Sequence, residues 1–141
     1  MQNKPTLIVG KHHTDERGTI TFNNDFDLSE IKRAYFIENE TTDIIRAWQG
    51  HKIEQRCFTV VKGSFLVKVI QIDNWDNPST TLAPFIFHLS EKDFQVLQVP
   101  GGYASSIQAM EENSKLMVMG DYLLGETKDE HRYSSEYFDI K

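Results

Sequence analysis

Residues 45–52 decide the fold, and they read Ile-Arg-Ala-Trp-Gln-Gly-His-Lys. Side chains alternate between the two faces of a β-strand, so Gln49 and His51 share one face of this segment. A second strand that includes Arg56 follows and ends at a turn around Gly63. If the shared face lines the inside of a barrel, Gln49 and His51 lie side by side in its interior.

Short runs of β-branched and aromatic residues, separated by turn residues, predict strands along the rest of the chain. We expect at most one helical turn, at Asp27–Ile31, and a short helix or an extended arm in the tail Glu126–Lys141. This spacing predicts an all-β sandwich or barrel, and strand counting alone does not choose between them. The predicted strands are Thr6–Val9, Gly18–Phe22, Arg33–Glu38, Ile44–Trp48, Gln55–Lys62, Ser64–Ile72, Phe85–Leu89, Gln95–Val99, Ala104–Met110 and Lys115–Tyr122.

A second motif, Val-Pro-Gly-Gly-Tyr-Ala at residues 99–104, completes a pattern that resembles the cupins. Cupins are double-stranded β-helix, or jelly-roll, barrels in which a His-x-His pair runs into a strand that ends at a glycine turn. A later Pro-x-Gly turn leads a further strand back into the barrel. The spacing from His51 to Gly63 matches that pattern. The resemblance implies one cupin domain over residues 1–141.

The resemblance narrows along residues 15–122. Asp-Glu-Arg-Gly at residues 15–18, Ile-Lys-Arg-Ala-Tyr-Phe-Ile at 31–37 and the segment 46–52 resemble landmarks of the WxcM-like nucleotide-sugar 3,4-ketoisomerases. Residues 99–122 are similar to the dTDP-4-dehydrorhamnose 3,5-epimerases. The resemblance implies isomerisation or epimerisation of a dTDP-linked 4-keto-6-deoxyhexose by metal-independent proton transfer, without an organic cofactor.

The four positions that hold a metal ion in metal-binding cupins carry an unsuitable set of side chains here. Only one of them is a histidine, and the arginine would repel a divalent cation. His12 and His13 do not repair the site, because adjacent residues of a strand point to opposite faces. We therefore expect no functional metal. The four positions are Gln49, His51, Arg56 and Ser105.

The resemblance also implies roles for individual residues. Gln49 replaces the first histidine of the motif and cannot accept a proton at neutral pH, so it is expected to orient a neighbour or to donate to an oxyanion. His51 is then the acid or base, with Tyr35 or Tyr122 as its counterpart. Each residue also has an ordinary structural interpretation, as a hydrogen-bonded histidine, a core aromatic or a surface cation. The candidate substrate-binding residues are Arg17, Arg46, Lys52 and Arg56.

The composition of the chain limits its possible partners and its location. The 15 basic and 21 acidic residues give a formal charge of −6, which argues against a nucleic-acid surface. Cys57 is the only cysteine, and neither a membrane span nor a signal peptide is evident, so we expect a cytoplasmic protein. We also expect a homodimer, with contacts from the N-terminal strand and from residues 133–138.

Two other functions stay open. The first is a non-catalytic sugar- or nucleotide-sugar-binding cupin, accessory to polysaccharide synthesis, which the glutamine at position 49 supports. The second is a generic metal-dependent cupin dioxygenase, which the poor ligand set disfavours. Trp48 and Trp75 are expected to serve packing, with residues 73–78 forming an exposed loop that acts as a lid or a dimer contact.

Overall fold

A computed structural model describes residues 3–140 as two five-stranded antiparallel sheets and a separate two-stranded hairpin. The first sheet has the order β1 (Thr6–Ile8), β9 (Val96–Val99), β6 (Arg56–Lys62), β11 (Lys115–Gly120) and β4 (Arg33–Ile37). The second has the order β12 (His131–Arg132), β5 (Ile45–His51), β10 (Tyr103–Ala109), β7 (Ser64–Gln71) and β8 (Phe85–Ser90). The hairpin pairs β2 (Lys11–Asp15) with β3 (Gly18–Phe22), and a single 3-10 turn covers Lys92–Phe94. The predicted all-β class is confirmed.

The core lies between the two sheets and follows from the alternation of their strands. Phe65, Val67 and Val69 on β7 are fully buried, whereas the residues between them are partly exposed. They pack in one cluster with Leu97 and Leu116 from the opposite sheet. Burying a side chain of this size contributes about 1.5–3 kcal/mol, so this layer is a main source of stability.

The outer side of β5 is covered by the C-terminal tail. Trp48 is buried there as predicted, and its ring meets Phe138 edge-on with the centroids 5.2 Å apart. Tyr133 and Tyr137 pack in the same cluster. Of the two forms expected for the tail, a short helix or an extended arm, the helix is absent from residues 126–140, which contain β12 and turns. These aromatic side chains, which we expected at a dimer contact, pack against their own chain; Lys141 lies outside the described residues.

Most strands match their predicted positions to within three residues, and the differences have local causes. β2 was not predicted, because its Lys-His-His-Thr-Asp sequence is mostly exposed and shows no apolar alternation. The expected helical turn near Ile31 is a single hydrogen-bonded turn, in which Ile31 N–H donates to Leu28 C=O at 3.0 Å. No helix within residues 3–140 has the length and apolar character needed to cross a membrane.

Candidate active site

A cavity of about 610 Å³ lies between the sheets, and five of the predicted site residues line it. Its walls come from β4, β5, β6, β10 and residues 132 and 133 of the tail. A second cavity, of about 410 Å³, is formed by residues 123–130 over Arg33 and Glu54. His51 and Arg56 line both cavities, so the two spaces adjoin. The polar side chains of the larger cavity are Tyr35, Glu38, Arg46, Gln49, His51, Arg56, Ser105, Arg132 and Tyr133.

An irregularity in the pairing of β5 with β10 brings one more arginine into the larger cavity. Gln49 lies opposite Ser105 in regular register. Simple alternation from Gln49 would place Arg46 on the outer face with Trp48. The register shifts between Ser105 and Ile107, so that Arg46 lies opposite Ile107. Such a bulge changes which face a side chain occupies, and Arg46 therefore lines the cavity beside Gln49.

His51 is held as a neutral imidazole. It is 7% exposed, and burial followed by the charge of Arg56 lowers its pKa from 6.5 to about 4. Asp129 and Glu130 act in the opposite direction, without overcoming the burial. Within residues 3–140 no side-chain hydrogen bond engages the imidazole ring. A neutral imidazole with a free ring nitrogen can accept a proton from a ligand in the cavity.

A buried ion pair supports Tyr35. Arg56 donates from Nη1 to the Tyr35 hydroxyl, and its Nε lies 2.6 Å from Glu54 Oε1. The latter contact is electrostatic, since its angles do not align as a hydrogen bond. Arg33 approaches the same carboxylate at 4.0 Å, and its guanidinium lies 5.1 Å from the Tyr35 ring centroid. Because Tyr35 accepts from Arg56, its own hydroxyl proton is left to donate to a ligand.

Gln49 is tied to the tail by a side-chain network. Its Nε2 donates to Glu130 Oε1 at 2.7 Å, and Arg132 Nη2 donates to the same oxygen at 3.1 Å. β12 pairs Arg132 directly with Gln49 across the sheet. The sequence did not indicate Glu130 or Arg132, because the tail carries no motif and reaches the site only through long-range strand pairing.

Asp129 anchors the tail beside this network. Its buried carboxylate accepts three backbone hydrogen bonds, from the N–H groups of Lys52, Ile53 and Glu54 at 2.9, 2.8 and 2.7 Å. Three converging donors suit a carboxylate and no other common side chain. Glu54 was also missed, although its spacing of two residues from Arg56 could have indicated a buried pair.

The structure brings some of the predicted site residues together and leaves others apart. Tyr122 follows β11, with its ring centroid 5.8 Å from Lys32 Nζ, and lines neither cavity. Arg17 is exposed at the β2–β3 turn, where it pairs with Asp15 at 2.8 Å. Lys52 is exposed beside the smaller cavity. The predicted residues that meet at the larger cavity are Tyr35, Arg46, Gln49, His51 and Arg56.

The four cupin ligand positions all line the larger cavity, so their side-chain groups can be compared with those that metal ions prefer. They offer one amide, one imidazole, one guanidinium and one hydroxyl, listed along the chain as Gln49, His51, Arg56 and Ser105. Such a set does not fit a divalent transition metal, which prefers several imidazole, thiolate or carboxylate ligands. In the described part of the chain no three His, Cys, Asp or Glu side chains are grouped to hold a metal ion.

No protein-family model matches this sequence, and no curated protein matches it either. Solved structures do resemble it. The QdtA 3,4-ketoisomerase of Thermoanaerobacterium thermosaccharolyticum, a double variant in complex with TDP, has a TM-score of 0.72 and 22% identity over 99% of this chain and 94% of its own.

Two further structures show the same likeness. For the dTDP-4-dehydrorhamnose 3,5-epimerase of Sulfolobus tokodaii the TM-score is 0.75 and the identity 20%, over 96% of this chain and 80% of its own. For the WlaRB TDP-quinovose 3,4-ketoisomerase of Campylobacter jejuni the values are 0.69 and 16%, over 96% and 98%. The chain therefore has the cupin fold that these sugar-nucleotide isomerases and epimerases share.

Proposed function

We propose that this chain is an isomerase or epimerase of a dTDP-linked 4-keto-6-deoxyhexose that works by metal-independent proton transfer. The observation that carries the proposal is a buried, neutral His51 facing a cavity that Tyr35 also lines. The proteins of the same fold include 3,4-ketoisomerases and 3,5-epimerases of such sugars, one of them in complex with TDP-4-keto-6-deoxyglucose. Shared fold alone does not carry function, so the proposal depends on the site.

The chemistry requires one base and one acid. His51 accepts the proton from the carbon next to the ketone, and the electron pair of the broken C–H bond forms an enediolate or enolate as the carbonyl oxygen takes up the charge. Tyr35 supplies a proton to the intermediate. In ketone migration Tyr35 delivers this proton to the former carbonyl carbon, while the hydroxyl proton of the neighbouring carbon passes to the former carbonyl oxygen and the new C=O forms there. In epimerisation Tyr35 delivers it to the opposite face of the original carbon, and the original carbonyl forms again. The imidazolium of His51 then loses its proton to solvent, and the tyrosinate of Tyr35 takes one up, which restores both groups. Neither route consumes an oxidant or a reductant.

Arginines at the larger cavity supply the anchors for a diphosphate. Arg46 and Arg132 flank Gln49 on adjacent strands, and the planar guanidinium group matches two phosphate oxygens at once. Arg46 donates from Nε to Asn39 Oδ1 at 2.7 Å, and no group in residues 3–140 engages its terminal nitrogens, which can therefore meet a ligand. These cations make a local positive site in a chain of net charge −6.

Solvent deuterium exchange into the sugar ring tests this function, because it reports proton abstraction even without net conversion. Wild-type protein in D₂O should incorporate deuterium into a dTDP-4-keto-6-deoxyhexose. His51→Asn should slow that exchange by about 10²–10⁴-fold, the usual contribution of a general acid–base group. The matched control is His88→Asn, which changes an exposed histidine of β8. Wild-type protein that exchanges no deuterium would overturn the enzymatic proposal.

A non-catalytic sugar-nucleotide binder is the second candidate, and Gln49 favours it. An amide at the first motif position cannot accept a proton at neutral pH, and here it is already hydrogen-bonded to Glu130. The same experiment separates the two functions. A binder would show a higher Tm in the presence of dTDP, and the ring protons of the sugar would not exchange with solvent.

We also propose that the protein works as a cytoplasmic homodimer. The hairpin of β2 and β3 exposes most of its residues, including Ile20, and β4 and β8 end their sheets with open edges. Open edges and exposed apolar side chains are usually covered by pairing. Light scattering at micromolar concentration should give twice the mass of one chain, and a monomer would contradict the proposal.

A further inference from the structure

The side chain of Gln49 lies in the wall between the two cavities. Gln49 lines the larger cavity only, whereas Glu130 lines the smaller cavity only. The hydrogen bond of 2.7 Å between them therefore crosses from one space to the other. Asp129, next to Glu130 in the chain, is fixed by three backbone hydrogen bonds, which hold the backbone from which the Glu130 side chain, 60% exposed, reaches Gln49.

The chemistry of this contact fixes the orientation of the amide. A carboxylate can only accept hydrogen bonds, so the NH₂ group of Gln49 must face Glu130. Arg132 donates to the same carboxylate oxygen, which keeps that oxygen an acceptor. The carbonyl oxygen, Oε1 of Gln49, is then turned away from Glu130, and within residues 3–140 no side chain donates to it.

We propose that Glu130 is a positioning residue that turns Gln49 Oε1 into the larger cavity, where it accepts a hydrogen bond from a hydroxyl group of the sugar. The inference rests on the proposed function and makes its substrate requirement more specific. It reverses the polarity of one of the two roles expected from the sequence, in which Gln49 orients a neighbour or donates to an oxyanion. The position next to Gln49 Oε1 therefore requires a hydroxyl donor on the sugar and disfavours a second carbonyl or a negatively charged oxygen.

Three substitutions separate the effect of the Gln49 amide orientation from the effect of a changed charge in the tail. Glu130→Gln retains a carbonyl oxygen that can accept from Gln49, so the amide keeps its orientation. Glu130→Lys places an ammonium group there, which can only donate and therefore forces the amide to turn. Glu136→Lys, at an exposed position of the tail, makes the same change of charge away from the site.

The measurements are KM and kcat in the deuterium-exchange assay, together with the Kd of the same dTDP-sugar. Glu130→Lys should raise KM and Kd about tenfold with little change in kcat, which is the pattern of a lost binding contact. Glu130→Gln and Glu136→Lys should stay within about twofold of wild type. Equal effects of the two lysine substitutions, or equal effects of the two Glu130 substitutions, would overturn the inference.

A double-mutant cycle excludes a merely structural effect of Glu130. In a Gln49→Leu background the amide is gone, so Glu130→Lys should cause no further rise in Kd. Additive effects would contradict the inference. If wild-type protein binds the sugar but exchanges no deuterium, the proposed function fails, while the Kd values still decide the orientation of Gln49.

Discussion

Gln49 and His51 occupy neighbouring inward positions of β5, and their surroundings give them different chemistry. Gln49 is held by the carboxylate of Glu130, and its amide is neutral at any accessible pH. His51 has no such side-chain partner in residues 3–140, and its protonation is governed by burial and by Arg56. In the proposed function the two side chains therefore have different roles, with Gln49 binding the sugar and His51 transferring protons.

The titration of His51 gives a prediction for the pH dependence of stability. The unfolded chain binds this proton near pH 6.5, whereas the folded protein holds the pKa at about 4. Between these values the unfolded state carries more protons, so this residue lowers the free energy of unfolding as the pH falls, by at most about 1.4 kcal/mol per pH unit. NMR titration should find an imidazole with a pKa near 4, and a value above 6 would contradict this.

Tyr35 and Tyr122 were equal candidates for the acid, and their positions now distinguish them. Tyr35 lines the larger cavity, whereas Tyr122 lines neither cavity. Tyr35→Phe should slow net conversion of the sugar by about 10²–10³-fold, because it removes the proton donor to the intermediate. Tyr122→Phe serves as the matched control and should stay within about twofold. The reverse order of effects would assign the acid role to Tyr122.

Among the elements, the tail is anchored by the carboxylate of Asp129 in addition to its aromatic packing and its strand pairing with β5. Asp129 accepts from three consecutive N–H groups, whereas an asparagine would turn its NH₂ group toward at least one of them. Asp129→Asn should therefore lower the free energy of unfolding by about 1–3 kcal/mol, the cost of leaving buried groups unpaired. Asp139→Asn, at an exposed position, is the control. Urea unfolding of the two variants measures the difference, and equal midpoints would contradict this role.

The strands and the inward pair could be predicted because they depend on local alternation. Gln49 and His51 line the cavity as the period of two requires. Arg46 could not be placed by alternation, because an extra residue in β5 between Arg46 and Gln49 shifts the register. β12 has two residues and forms only because β5 offers an edge, so the site residues Glu130 and Arg132 had no local signal.

At the scale of the whole molecule, a chain of net negative charge places arginines at the larger cavity. Overall charge indicated only that a nucleic-acid partner was unfavourable, whereas the fold determines which cations converge. β6 runs from Arg56 at the cavity to Lys62, which is exposed at the other end of the strand. The positive side chains near the site and those at the far end of the barrel should therefore differ in their effect on an anionic ligand.

Thermal unfolding with dTDP measures that difference. A ligand that binds only the folded state stabilises it by RT ln(1 + [L]/Kd), about 2.7 kcal/mol at a hundredfold excess over Kd, so millimolar dTDP should raise Tm by several degrees. Arg46→Ala should remove most of this shift, because it deletes a guanidinium group that lines the cavity. Lys62→Ala deletes an equal charge far from the cavity and should leave the shift intact. Equal losses of the shift in both variants would show that dTDP binding depends only on the net charge of the protein. The absence of any shift in the wild type would contradict a nucleotide site in this cavity.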